Sequence, residues 1–204
     1  MSTQDKVKIN KLPTGVPGLD EIVGGGLPEF SFNIIAGAPG SGKTTLAHQF
    51  VFANASSERP ALYFTVLGES AIKMLRYQQQ YTFFDPAKLP DSIRFINLSQ
   101  VVLEKDLGAV LEQITKEVEK ANPAVVVVDS FRTMVRKEST TTTAGFAFST
   151  SLVISSKTAP RSFSMTTWLR LIKRMEPGSL AGSKNEYCCW YLSIFMADSP
   201  RTVK

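Results

Sequence analysis

Gly37-Ala38-Pro39-Gly40-Ser41-Gly42-Lys43-Thr44 follows the spacing G-x-x-x-x-G-K-[ST] in full. That pattern has a specific chemical use. Glycines at 37, 40 and 42 let the backbone turn so that successive N–H groups point into one concavity, and the first turn of a following helix adds its positive dipole end. Such a nest fits a polyphosphate. Lys43 would bring a point charge to the β and γ phosphates, the Thr44 hydroxyl would ligate Mg²⁺, and Thr45 would add an α-phosphate contact. The expected ligand is therefore Mg·ATP, held by Gly37, Ala38, Pro39, Gly40, Ser41, Gly42, Lys43, Thr44 and Thr45. A plain glycine-rich turn before a helix is the alternative, and it does not account for the complete pattern.

A second chemical residue is Asp129, at the end of the run Ala124 to Val128 (AVVVV). A carboxylate there is expected to reach Mg²⁺, directly or through water, from the strand beside the phosphate loop. Taken by itself, an Asp at a strand end equally suits a helix cap or a turn. Ser130 next to it either orients water or serves as a turn residue. Hydrolysis also needs a group that activates water in line with the γ-phosphate. Glu69, just after the run Ala61 to Leu67, is the candidate catalytic residue together with Lys43. It could instead complement the N-terminal dipole of the next helix, and spacing leaves both roles open.

These residues need strands to carry them and helices to cover the strands. Phe32 to Ala36 is a short apolar run ending in glycine, followed by a predicted helix, Lys43 to Ala55, with Leu46, Phe50 and Ala53 on one stripe. Ala61 to Leu67 is β-branched and aromatic, a buried strand, and Glu69 to Gln80 then reads as a helix with Ile72 and Leu75 inward. Ile93 to Leu98 is a third strand. From Leu103 to Ala121 apolar residues recur at helical spacing until Asn122-Pro123 stops them. Ala124 to Val128 is a continuous apolar strand of the kind buried on both faces of a parallel sheet. The alternation predicts an α/β fold, a doubly wound and mainly parallel sheet with helices on both faces and ligands at the C-terminal strand ends.

Composition narrows the class. The chain has 204 residues, 43% hydrophobic and 20% charged, enough for one domain with a buried core. No apolar stretch reaches the ~20 residues of a membrane span, and Met1 to Lys11 lacks a signal-peptide core. A cytoplasmic location is the simplest expectation. Cys188 and Cys189 are adjacent, a poor geometry for a structural bridge and no zinc spacing. Of 23 Lys and Arg, 13 lie in residues 1–135 beside 14 Asp and Glu, so the net charge of +5 comes wholly from residues 136–204. A basic tail can meet DNA phosphates, but a solvated tail explains it as well, and nucleic acid is not the expected partner. Residues 136–204 are also Ser/Thr-rich, with a run from Ser139 to Thr143, and Phe146 to Ile154, Phe163 to Ile172 and Tyr187 to Met196 each fit strand, helix or exposed segment. The expected organisation is a nucleotide-binding core, 1–135, and an atypical C-terminal part, 136–204, that supplies remaining core strands or a divergent tail. His48 reads as a packed or surface histidine rather than a catalyst, and Trp168, Trp190 and Tyr191 as core or interface rather than base-stacking residues.

From Leu12 to about Arg136 the chain resembles the KaiC family of RecA-like ATPases, with RadA and RecA more distant. The segments that carry the resemblance are Thr14-Gly15-Val16-Pro17-Gly18-Leu19-Asp20, Gly24-Gly25-Gly26-Leu27-Pro28, the phosphate loop GAPGSGKTT, YFTVLGES and VVVVDSFR. The glycine-rich turns of the first two are expected to lay the N-terminal segment against the edge of the sheet. The resemblance implies a RecA-like P-loop fold and an ATP-dependent ring, usually a hexamer, with nucleotide between subunits. It implies phosphate and metal roles for Lys43, Thr44 and Asp129. It also implies the water-activating role for Glu69, although the first of the family's two glutamates is here Gly68. Basic residues that reach across the family's subunit interface have no evident counterpart in 137–204, where Lys173-Arg174 is the best pair. Autophosphorylation at Ser139 to Thr143 is a lesser possibility than ATPase activity, because such runs are usually linkers. Three functions compete: a slow Mg-dependent ATPase controlling oligomer assembly or a signalling partner, a RadA- or RecA-like DNA-binding recombination ATPase, and a non-hydrolysing nucleotide-binding module.

Overall fold

The computed structural model describes residues 9–37, 40–66, 71–104, 107–129, 149–155 and 190–194, the last two segments as backbone. The chain enters through a two-stranded ladder, β1 (Lys11–Leu12) antiparallel to β2 (Leu27–Pro28), that encloses the short helix α1 (Leu19–Ile22). Asp20 accepts from the Thr14 N–H at 2.8 Å and so closes the turn. Gln49 donates to the Gly15 carbonyl and Asn54 to the Pro13 carbonyl. The entry segment thus docks on the helix that carries Gln49 and Asn54, rather than on the sheet edge expected from its turns.

The apolar runs form the sheet: β3 (Phe32–Gly37), β4 (Ala61–Thr65), β5 (Ile93–Asn97), β6 (Val125–Asp129), β7 (Ser149–Ser155) and β8 (Trp190–Ile194), in the order β5-β4-β6-β7-β3-β8. β4 pairs parallel with β5 and β6, while β7 runs antiparallel to both β6 and β3, and β8 antiparallel to β3. Because β3 and β6 both oppose β7, they point the same way as β4 and β5. Four of the six described strands share one direction, and their C-terminal ends share one edge. One expectation is corrected. β6 is not beside β3, because Val153 of β7 sits between Asn33 and Val127. Two of the three segments left open in the C-terminal part, around 149–155 and 190–194, are strands, and Phe163 to Ile172 lies outside the described residues.

Alternation along the strands sorts the core into two layers. Tyr63, Val125, Val127 and Ile35 face α2 (Lys43–Asn54), packing with Ala47, Phe50 and Val51 and with Met74 of α3 (Ala71–Gln78). Leu62, Phe64, Val126, Val128, Phe32 and Ile34 face the other way, against Val102 of α4 (Ser99–Glu104) and Val110, Leu111 and Ile114 of α5 (Leu107–Ala121). Helices thus cover both faces, as the pattern of runs predicts.

Three helix faces differ from the expectation. Ile72 is 67% exposed; Met74 and Gln78 are the residues of α3 that turn inward, with Leu75 half-buried. Leu103 is 77% exposed while Val102 is buried. Lying seven residues before Val110, Leu103 would share its face if one helix ran in phase from 103 to 121, so α4 and α5 do not keep a common phase. Ala53 is exposed, since α2 buries a broader set, Ala47, His48, Phe50, Val51 and Phe52. Among the described residues no helix is long and apolar enough to cross a membrane.

Candidate nucleotide and metal site

β3 ends at Gly37 and α2 starts at Lys43, so the phosphate loop leaves the sheet at the edge where the parallel strands end. Gly40 and Gly42 have φ of +80° and +82°, a left-handed backbone that an L-residue adopts only under strain. Among the described residues a Cβ at either would meet nothing within 4 Å. The glycines are therefore required for the turn itself, and the space above them is open enough for a ligand. Ala38 and Pro39 lie outside the described residues. Gly42 precedes the helix with no side chain capping it, which leaves the amide end of α2 directed at the loop.

Lys43 is 4% exposed, and its ammonium donates to Ser41 Oγ at 3.2 Å. Its head is thereby folded back over the loop. Thr44 is exposed at the mouth, and Thr45 is half-buried behind it. Although β7 separates β6 from the strand that leads into the loop, Thr44 and Asp129 meet: the threonine hydroxyl donates to Asp129 Oδ2 at 2.7 Å. The structure thus brings together Gly40, Gly42, Lys43, Thr44 and Asp129. A hard cation prefers oxygen ligands, and a hydroxyl beside a carboxylate at an open loop is a donor pair that suits Mg²⁺, which takes one or two protein ligands and completes its shell with phosphate and water. The residues present fit that ion. Glu69 and Ser130 lie outside the described residues, so neither joins this geometry.

Two side chains stand behind the carboxylate: Tyr63, to which the sequence assigns no role beyond its strand, and His48, read there as packed or at the surface. Tyr63, fully buried on β4, donates its hydroxyl to the same Asp129 Oδ2 at 2.8 Å. Burial first, and the negative charge of Asp129 next, raise its phenol well above the ordinary value, so it stays protonated and donating. His48 of α2 is buried with its ring centroid 4.4 Å from that of Tyr63, and Phe95 closes the group at 5.3 Å from Tyr63 and 5.8 Å from His48. Burial lowers the histidine from 6.5 to about 4, against the opposing pull of Asp129 and of Gln78. Gln78 lies near enough to favour the His48 proton, but among the described residues neither ring nitrogen nor Gln78 Oε1 meets a partner in hydrogen-bond geometry. The available signal for Tyr63 is a tyrosine inside a strand expected to be buried, since a buried phenol needs a partner for its hydroxyl.

The family described as ATPase: KaiC matches residues 12–155. DNA repair protein RadA of Mycobacterium tuberculosis is 34% identical over 145 residues, 71% of this chain and 27% of that protein. A UPF0273 protein of Thermotoga maritima is 42% identical over 55 residues, 27% of this chain and 23% of its own length. The circadian clock oscillator protein KaiC of Prochlorococcus marinus is 27% identical over 139 residues, 64% of this chain and 27% of that protein. The chain thus spans about a quarter of the length of these relatives. With the matched family covering most of the chain and a phosphate loop on an α/β sheet of RecA type, the protein belongs to the KaiC family of P-loop ATPases.

Proposed function

We propose that this chain is a slow Mg-dependent ATPase whose nucleotide state controls oligomer assembly or a signalling partner. The observation that carries the reading is the 2.7 Å bond between Thr44 and Asp129 beside an open glycine loop. In this reading the backbone from Gly37 to Gly42 and Thr45 hold the phosphates, with Ala38 and Pro39 shaping the loop. Lys43 pairs with the β and γ phosphates, and Thr44 and Asp129 hold Mg²⁺. When bound, the ion would neutralise negative charge on the phosphates as the bond breaks. Glu69 takes a proton from the attacking water as the bond between the γ-phosphorus and the bridging oxygen breaks, giving ADP and inorganic phosphate. One carboxylate, with Gly68 before it, is consistent with slow turnover. A homo-oligomer, a hexamer on the family's pattern, and a cytoplasmic location complete the reading.

Sedimentation with and without Mg·ATP, with phosphate release read on the same samples, tests it. ATP-dependent assembly and turnover that Lys43→Ala abolishes are expected. A monomer that binds ATP and releases no phosphate at any protein concentration would reduce the chain to a nucleotide-binding module. The likeness to DNA repair protein RadA favours one second reading, a DNA-dependent ATPase. It requires turnover stimulated by single-stranded DNA and lost as salt rises; turnover indifferent to DNA removes it.

A further inference from the structure

Thr44, Asp129, Tyr63 and His48 form a closed circuit. Thr44 and His48 are four residues apart on α2 and so lie one above the other on the same side of the helix. His48 lies against the ring of Tyr63, Tyr63 donates to Asp129 Oδ2, and the same oxygen accepts from Thr44. The register of the sheet makes this possible. Tyr63 stands opposite Val127 and Phe95 in the two parallel pairings, and Asp129 is two residues beyond Val127, on the same face. The phenol therefore reaches one step along the neighbouring strand to the carboxylate.

A carboxylate at a strand end has two free side-chain torsions, and a metal ligand is useful only if its oxygens are already aimed. The Thr44 bond alone cannot fix them, because that hydroxyl sits on an exposed residue and rotates. Tyr63 has no such freedom: its ring packs against both His48 and Phe95, and its burial is complete. We propose that Tyr63 is a positioning residue for the metal site, its hydroxyl bond to Asp129 fixing the carboxylate in the orientation that receives Mg²⁺ beside Thr44. This rests on the nucleotide and metal reading given above. It assigns the tyrosine a role in metal affinity that is separable from nucleotide contact, since Tyr63 lies beneath the carboxylate and not on the loop.

The test measures binding of a fluorescent ATP analogue to wild type, Tyr63→Phe and Asp129→Ala, each in Mg²⁺ and in EDTA. Wild type should gain affinity with Mg²⁺ and Asp129→Ala should lose that gain; if either fails, the underlying metal reading fails, independently of the tyrosine. Given both, Tyr63→Phe should keep its affinity in EDTA within about twofold and lose about tenfold of the Mg²⁺-dependent gain, the size of one hydrogen bond to a charged group. An undiminished gain, or an equal fall in both conditions, overturns the proposal and leaves Tyr63 a packing residue. If Tyr63→Phe does not fold, as judged by circular dichroism, wild type labelled with 3-fluorotyrosine answers the same question by ¹⁹F resonance. The Tyr63 signal, assigned by replacing each of the other four tyrosines with Phe, should shift when Mg²⁺ joins bound nucleotide; a signal indifferent to the metal overturns the proposal.

Discussion

At the scale of single residues, His48 is where the site touches stability. Its folded value of about 4 lies below the ordinary 6.5, with burial as the main cause. The unfolded chain therefore binds the histidine proton between those two values while the folded chain does not, and stability falls as pH drops from about 6.5 to about 4. The gap corresponds to about 3 kcal/mol, fully lost below pH 4. Asp129 faces the same group and other carboxylates titrate nearby, so the informative quantity is a difference between two proteins. His48→Phe keeps a ring beside Tyr63 and Phe95 and removes two nitrogens that, among the described residues, meet no partner in hydrogen-bond geometry. Urea denaturation should find the variant gaining about 3 kcal/mol on wild type between pH 7 and pH 4. Parallel pH profiles for the two would show that the histidine is not buried neutral. Lys43 gives a second residue-scale prediction. Mg·ATP at 100 times its dissociation constant should stabilise wild type by about 2.7 kcal/mol, and Lys43→Ala should show little of that gain in thermal melting.

At the scale of elements, the entry ladder depends on a close approach. Gly26 has φ of +110°, and a Cβ there would meet the Leu12 carbonyl oxygen at 2.3 Å, so backbone must move. Gly26→Ala should cost about 2–4 kcal/mol in denaturant unfolding, whereas Gly18→Ala, with nothing among the described residues within 4 Å of its Cβ, should cost only its left-handed strain, about 1–2 kcal/mol. Equal costs would mean that the ladder yields at no penalty. Elements of this kind were legible when one local rule decided them. The strands Phe32–Gly37 and Val125–Asp129 and the helix Lys43–Asn54 follow from apolar runs and the loop motif. Helix faces were less legible. Ile72 looked inward because it is apolar, yet Gln78 takes that side of α3, turned toward buried His48. Leu103 fits the helical period of 107–121, but α4 starts back at Ser99, where Asn97 accepts from the Ser99 N–H, and this sets a different phase. In the site, the motif gave Lys43, Thr44 and Asp129, each tied to a fixed spacing or a strand end. Tyr63 depends on register between strands 66 residues apart in sequence, which no local pattern encodes.

At the scale of the whole molecule, the site depends on a strand that the loop and the carboxylate do not belong to. β7 joins the phosphate-loop strand to the Asp129 strand, pairing with β3 on one side and β6 on the other, while β8 pairs with β3 at the edge. A proline removes a backbone donor and is tolerated only where that donor faces solvent. Val153 stands between Asn33 and Val127, so Val153→Pro must lose a ladder bond to one neighbour or the other and open a gap in the sheet. Among the described residues Ser193 opposes only Asn33. Val153→Pro should therefore destabilise the fold by about 3 kcal/mol or more and weaken Mg·ATP binding, because the 2.7 Å contact between Thr44 and Asp129 spans that strand. Ser193→Pro should cost less and leave Mg·ATP affinity near wild type. Fluorescent nucleotide binding and urea melts on both variants decide it. If Ser193→Pro is the more damaging, the edge strand rather than β7 holds the two halves of the site together, and the separation of β3 from β6 loses its functional meaning.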